Sequence, residues 1–372
     1  MKYSVIILNY NVKHFAAACL QTVQKAVAGK KAEIILADNA STDGSKAYLE
    51  KHFKGVKFLW FEKNHGFAKA YNKAVAQAKG GYLLILNPDT LVPENLLDEL
   101  EKFAVAYPDF GIAGGKMIDG TGNFLPESKR GIPTPAVAFG KLTQLYKLLN
   151  FKPFNQYYAP HLTPDQTGKA AVLTGAFMFM KRETYRKTGG FDERYFMYGE
   201  DIDLSYSVLK SGKENYYVPA AKIIHFKGES SQKDKKYLIN FFDTTFQFYQ
   251  KHFRSFPPQE FLMKQFFKAW LLLHKNKTGK PEKIVYTTTF FIGNKTHYRK
   301  IIEKFPNVLH LNRIPESFPP KALVIFDTSV LPFSEIMDAM EQNQAYYRFY
   351  FPDLKIVLGS DYKDQTGSVL SI

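Results

Sequence analysis

The chain has 372 residues, 45% hydrophobic and 16% aromatic, with 50 Lys and Arg against 35 Asp and Glu for a formal charge of +15. That apolar content excludes an intrinsically disordered chain and suffices for two domains, or for one large domain with an appendage. A single cysteine, Cys19, excludes a disulfide framework and a zinc cluster and points to a reducing cytosol, while the positive charge selects anionic partners: phosphorylated substrates, an anionic membrane face or nucleic acid.

The basic residues are dispersed and carry no zinc-finger, homeodomain or RNP-like signature, which argues against nucleic acid. Met1 to Leu8 runs straight into an apolar, strand-like stretch, so no signal peptide is expected. No segment reaches the roughly 18 uninterrupted apolar residues that span a bilayer. The expectation is a soluble or peripheral protein of the cytoplasm.

Strand-like runs over 3–8, 33–37, 56–60 and 82–86 alternate with helix-like runs over 15–27, 45–53 and 67–78. This alternation predicts a mostly parallel sheet with helices on its faces. The run over 82–86 is punctuated by Gly80-Gly81 before it and Asn87-Pro88-Asp89 after it, as in a buried central strand that reaches the mouth of a site. A plain turn is the alternative for Asn87-Pro88-Asp89. In open α/β sheets the ligand lies outside the carboxyl ends of the strands, which singles out Asn9, Tyr10, Asp38, Asn39, Asn64 and Asp89.

The loop Asp38-Asn39-Ala40-Ser41-Thr42-Asp43-Gly44-Ser45 precedes a helix, where Ser41, Thr42 or Asp43 would cap orphan amides or the helix start would take an anion. Asn64-His65-Gly66-Phe67-Ala68 has the same two readings, Gly66 serving close ligand approach or a tight turn. GxGxxG and Walker A motifs are absent, which argues against dinucleotide and P-loop sites.

From 111 to 169 prolines interrupt short aromatic segments, the pattern of loop-rich inserts that carry specificity. An apolar run over 171–180 holds Gly175, and Gly189-Gly190-Phe191-Asp192-Glu193 reads as a turn. Gly199 opens a helix to about Lys210, closing at Gly212, with Glu200, Asp201 and Asp203 in its first turn, where simple helix capping is the alternative to chemistry. A strand over 223–226 carries His225, and a lone histidine there is more often structural. The basic, aromatic helical region over 235–274, broken by Pro257-Pro258, suits either an anionic membrane face or domain packing, and 275–281 reads as a linker. Beyond it, strands over 284–292, 308–311, 323–326 and 356–358 and helices near 298–305 and 334–342 make a second α/β unit of about 90 residues without a catalytic constellation.

Over about residues 3–230 these pieces, in this order, resemble the family-two inverting glycosyltransferases of the GT-A fold, particularly the bacterial rhamnosyltransferase-like branch. The pieces are Val5 to Asn11, Asp38 to Ser45, Asn64 to Ala68 with Asn72, Asn87-Pro88-Asp89, Thr174-Gly175-Ala176, Gly190 to Glu193, Gly199-Glu200-Asp201 and His225. The resemblance implies a GT-A domain over 1–232, built on a mixed, mainly parallel sheet flanked by helices. A helical extension and linker would follow over 233–280, and a small α/β domain of unassigned role over 281–372.

The same resemblance implies the site. Asn9, Tyr10 and Asp38 would hold base and ribose, with Asn64, Gly66, Phe67, Asn72 and Gly175 lining the nucleotide-sugar pocket. Asn87 and Asp89 stand where the family carries DxD; with Asn87 neutral, a manganese or magnesium ion would rest on Asp89 and His225. Asp201 would be the general base, beside Glu200. The implied activity is single-displacement transfer from a UDP- or dTDP-sugar, dTDP-rhamnose among them, to a hydroxyl of a glycan or lipid-linked acceptor in cell-surface polysaccharide synthesis. Peripheral contact with the inner membrane face and oligomerisation through the C-terminal domain are consistent with it. A non-catalytic nucleotide-sugar-binding module and a basic membrane-associated scaffold are the alternatives.

Overall fold

The computed structural model describes residues 1–134, 137, 157–227, 235–253, 265, 267, 284–362 and 366–372. The opening apolar run forms β1 (Tyr3–Asn9), buried along its whole length and paired in parallel with β2 (Ala32–Asp38) on one side and β4 (Tyr82–Leu86) on the other. Burial on both faces is what a central parallel strand requires. β3 (Lys57–Trp60) extends the edge beyond β2, and α1 (Lys13–Ala26), α2 (Ser45–His52) and α3 (Gly66–Val75) make the crossovers. No side chain caps α2: Gly44 holds the cap position at φ +82°, and Asp43 instead accepts from the backbone amides of Ser45 and Lys13, stitching the loop to α1.

After β4 the chain adds β5 (Thr90–Leu91), α4 (Leu96–Ala106), β6 (Ile112–Ile118), β7 (Gly168–Lys169), β8 (Phe177–Lys181), α5 (Arg182–Lys187), α6 (Glu200–Lys210) and β9 (Tyr216–His225). The strand order is β3-β2-β1-β4-β8-β6-β9-β5, with β7 on β9. The longer ladders are mostly parallel, and β8 runs antiparallel between β4 and β6, so the residues before β8 lie at the same end of the sheet as those after β4. The mixed, mainly parallel sheet flanked by helices is therefore present.

α7 (Lys235–His252) decides between the two readings of the aromatic helical region, as far as it is described. Phe248 and Tyr249 pack with Val172, Tyr195 and Ile202, and Lys251 and His252 both bind Asp203 at 2.7 and 2.6 Å. That face is buried against α6 rather than offered to a membrane. The expected Pro257-Pro258 break and the linker over 275–281 lie outside the described residues.

The second sheet comprises β10 (Thr289–Ile292), α8 (Lys295–Ile301), β11 (Val308–Leu311), β12 (Leu323–Asp327), α9 (Phe333–Gln342), β13 (Tyr346–Phe351), β14 (Ile356–Gly359) and β15 (Ser368–Ser371), in the order β11-β10-β12-β13-β14-β15. Sequence reading passes over β13 and β15 and starts α8 three residues late. α8 begins early because Asn294 caps it, accepting from the His297 amide at 2.8 Å. β13 is obscured by Arg348, a charge in a buried strand that is tolerated only because Asp361 pairs with it at 2.8 Å.

The two sheets share one hydrophobic cluster, which runs from Phe15 and Leu20 of α1 through Ile224 and Phe226 to Phe326, Phe333 and Phe349. The rings of Phe226 and Phe349 lie 5.8 Å apart. Polar contacts flank this seam: Lys222 pairs with Asp338 and Glu341, Lys25 donates to the Thr328 carbonyl, and Glu94 accepts from the Phe333 amide at the start of α9. Surface pairs of this kind contribute about 0–1 kcal/mol each, whereas each buried aromatic contributes roughly 1.5–3 kcal/mol, so the apolar seam dominates.

Heat should accordingly unfold the chain in one calorimetric transition. Phe349→Ala should lower the stability of the whole by about 3–5 kcal/mol, and Glu94→Ala by about 1 kcal/mol through the lost cap. Two separated transitions, or an effect of Phe349→Ala confined to one of them, would show the sheets to be independent.

Candidate active site

A cleft of about 900 Å³ opens at the carboxyl ends of β1, β4, β6 and β9. Its floor is the turn Thr174-Gly175-Ala176, closed by the Phe177 amide on the Thr174 carbonyl at 3.2 Å. The turn reaches both ways. The Asn87 amide donates to the Ala176 carbonyl at 3.0 Å, and the Gly175 amide donates to Asp201 Oδ2 at 3.1 Å. A Cβ on Gly175 would stand 3.1 Å from Phe67 and 3.4 Å from Asp201, closer than most real contacts, so glycine permits this approach.

On one side stands the start of α6. Asp201 Oδ2 also accepts from Arg130 Nη2 at 2.5 Å, and Oδ1 accepts from the Ile202 amide at 2.8 Å. Arg130 is positioned by a two-way backbone bridge to Val172, 2.9 Å in each direction, and by a bond from its guanidinium to the Leu173 carbonyl. Burial opposes the charge on Arg130, but Asp201 outweighs it and holds the guanidinium protonated. Glu200 is 6% exposed, and its Oε2 has no hydrogen-bond partner among the described residues. Burial first, then the neighbouring Asp201, push its carboxyl well above the ordinary range.

On the other side Asp89 is 3% exposed, and its Oδ1 also lacks a hydrogen-bond partner among the described residues. His225 Nε2 lies 3.4 Å from that oxygen and 3.5 Å from Asn87 Nδ2. The β5–β9 ladder sets this meeting, pairing Thr90 with His225 while the Phe226 amide donates to the Asp89 carbonyl at 3.0 Å. One carboxylate, one imidazole and one amide oxygen make an incomplete shell that fits a divalent cation only with oxygens from elsewhere. Among the described residues no group of three or more His, Cys, Asp or Glu could hold a metal. Lys227, at φ +55°, adds a cation beside His225 and pairs with Glu127. Burial opposes the charge on Glu127 too, but Lys227 outweighs it and brings the carboxyl down to about 2. Beneath this side Cys19 packs against the Asn87 carbonyl and Thr90, and burial pushes its thiol up to about 12.

Of the residues marked in sequence, Tyr10, Asn64, Gly66, Phe67, Asn87, Gly175, Glu200, Asp201 and His225 line the cleft. Asp89 lies just under the wall. Asn9 and Asp38 sit behind it, with Asn9 Nδ2 donating to Asp38 Oδ2 at 2.7 Å and the Ser41 amide to Asp38 Oδ1 at 2.8 Å, a network that shapes the Asp38–Ser45 loop. Asn72 stands outside the cleft wall, holding the Phe191 turn and accepting from Tyr185 at 2.5 Å. Gly66 has φ +75°, and any Cβ there would meet the Phe196 carbonyl at 2.4 Å, so the protein's own loop explains this glycine. Sequence reasoning missed Arg130, Glu127, Lys227, Asp361 and Tyr362. Arg130 and Glu127 carry no periodic signal within the proline-rich stretch, whereas Lys227 could have been suspected two residues after His225.

A family model described as Glycosyl transferase family 2 matches residues 4–189. The chain is 29% identical over 212 residues to the N-acetylglucosaminyl-diphospho-decaprenol L-rhamnosyltransferase of Mycobacterium tuberculosis, covering 54% of this chain and 68% of that protein. It is 24% identical over 239 residues to the rhamnosyltransferase WbbL of Escherichia coli, covering 59% and 79%. Among solved structures, the mannosyltransferase PcManGT from Pyrobaculum calidifontis in complex with GDP-Man and Mn2+ aligns at 19% identity and a TM-score of 0.47, covering 73% of this chain and 70% of that one. S. aureus TarS in complex with UDP-GlcNAc aligns at 16% identity and a TM-score of 0.49, covering 75% of each. The family match takes in β1 to α5 and stops short of α6 and β9, and on it the chain belongs to glycosyl transferase family 2.

Proposed function

We propose that the chain moves a sugar from a nucleoside-diphosphate donor to a hydroxyl of a glycan or lipid-linked acceptor, with inversion. The observation that carries this reading is the Thr174-Gly175-Ala176 turn, which ties Asn87 on one side and Asp201 on the other into one cleft. The relatives' names, one of them an L-rhamnosyltransferase of N-acetylglucosaminyl-diphospho-decaprenol, support a rhamnosyl donor, dTDP-linked in our reading, and a lipid-diphosphate-linked acceptor. Among the described residues no helix is long and apolar enough to cross a membrane, and a lipid-linked acceptor would be met by peripheral contact with the inner face.

In this mechanism the Asp201 carboxylate takes the acceptor's hydroxyl proton as that hydroxyl oxygen attacks the anomeric carbon. The bond from that carbon to the diphosphate oxygen breaks, and its electron pair leaves with the diphosphate. Arg130 orients Asp201 through its guanidinium N–H on Oδ2. A retaining route would need a second carboxylate as nucleophile. Manganese or magnesium held by Asp89 and His225 would neutralise the departing diphosphate. Lys227 lines the cleft on the same side, paired with Glu127.

Asp201→Asn should lower transfer by about 10²–10⁴-fold while nucleoside diphosphate still raises Tm; full activity would remove Asp201 from the mechanism. Asp89→Ala should weaken donor affinity in manganese or magnesium and leave it unchanged in EDTA. Equal affinities for both chains in both conditions would sink the metal role. Because the pKa of Glu200 is raised in the fold, the native chain keeps a proton that the unfolded chain has released, so stability falls as pH climbs from the ordinary value of 4.5 through the folded value. Glu200→Gln removes that slope. Its Tm relative to the unaltered chain should therefore improve steadily from about pH 5 to about pH 9.

A further inference from the structure

We propose that the second sheet completes the acceptor half of the cleft, with Asp361 and Tyr362 recognising the ring of a neutral saccharide. This rests on the transferase reading above. The strand order supplies the first argument. Tyr10, Asn39 and Asn64, the nucleotide-side candidates, stand at the β1–β2 end of the cleft. Asp119 follows β6 and His225 ends β9, on the far side of the central β4. The chain after β14 reaches the cleft on that far side, through Asp361 and Tyr362.

The second argument is that this approach is built in. A Cβ on Gly120 would lie 2.7 Å from the Ser360 carbonyl, and one on Gly122, at φ +85°, would lie 2.2 Å from the Met340 carbonyl. Both neighbours are backbone and cannot swing aside, so the loop after β6 is shaped to receive the second sheet. Lys116 fastens the same seam, pairing with Glu341 at 2.5 Å. Asp361 is then fixed in place by two bonds from Arg348, at 2.8 and 2.9 Å, and one from Tyr286 at 2.7 Å. Those bonds neutralise its charge and occupy one site on Oδ1 and two on Oδ2, leaving acceptor capacity directed by a rigid frame.

The third argument is chemical. Phe124, Tyr158 and Asn123 line the same cleft as Tyr362. Aromatic rings beside fixed hydrogen-bond acceptors suit a pyranoside, whose C–H faces are apolar and whose hydroxyls donate. Among the described residues Arg348 and Lys227, the cations nearest Asp361 and Glu127, are paired with those carboxylates, so neither is left to select an anionic acceptor.

The test uses the full chain with a panel of octyl glycosides as acceptors, a nucleoside-diphosphate sugar as donor for the kinetics and nucleoside diphosphate alone for the NMR. Tyr362→Ala should raise the acceptor KM by about tenfold or more and leave the donor KM within about twofold, whereas Tyr362→Phe, which keeps the ring, should shift the acceptor KM by less than about threefold. Saturation-transfer NMR of the glycosides should fall in parallel in Tyr362→Ala. An acceptor KM and an NMR signal unmoved by Tyr362→Ala, or a donor KM that rises equally, would overturn the inference. Failure of the unaltered chain to hydrolyse or transfer any UDP-, dTDP- or GDP-sugar would instead defeat the transferase reading, and the NMR comparison would still decide whether Tyr362 holds a saccharide.

Discussion

The geometry of the cleft depends on one carboxylate oxygen. Asp201 Oδ2 receives a guanidinium N–H from Arg130 and a backbone N–H from Gly175, and through them it is coupled to the Val172 bridge, the 174–176 turn and Asn87. Removing either donor would leave a charged group poorly compensated at low exposure, which is expensive. The neighbouring Glu200 shows what the alternative looks like: a carboxyl without a cation responds to burial by holding its proton. Of two adjacent acids on one helical turn, only Asp201 is reached by the Arg130 guanidinium.

The sheet was legible in the sequence because its signals are local. Apolar runs of strand length, ended by polar residues, located β1, β2, β3 and β4 to within a residue or so, and the sites at their carboxyl ends followed from the geometry of open α/β sheets. What sequence could not supply was which residues from the irregular stretches come back to the cleft. Arg130 arrives there through a backbone bridge to Val172, 42 positions on, and no periodicity encodes such a pairing. Asn9, Asp38 and Asn72 illustrate the converse. Their polar side chains follow or flank the elements as read, and in the structure they hold loops in place.

The second sheet was read in outline and lost in detail. Its aromatic β13 carries a buried arginine, and the compensating Asp361 lies 13 residues away, so the strand reads as irregular until both partners are seen together. Its relation to the first sheet was not legible at all, since a shared core is a property of surfaces rather than of any one segment. Phe226, between His225 and Lys227, is the clearest case. It is fully buried, and one of the rings packed against it is that of Phe349, more than a hundred residues later.

Cys19 gives the chain a practical property. It is the single thiol of the molecule, enclosed beneath Asn87 and held protonated far above neutral pH, so alkylating reagents find no thiolate in the folded state. The native protein therefore comes blank for site-directed labelling. A cysteine introduced on the exposed rim would carry a fluorophore or spin probe alone, and movements of the two sheets around a bound sugar nucleotide could be followed without first deleting a residue that supports the floor of the cleft.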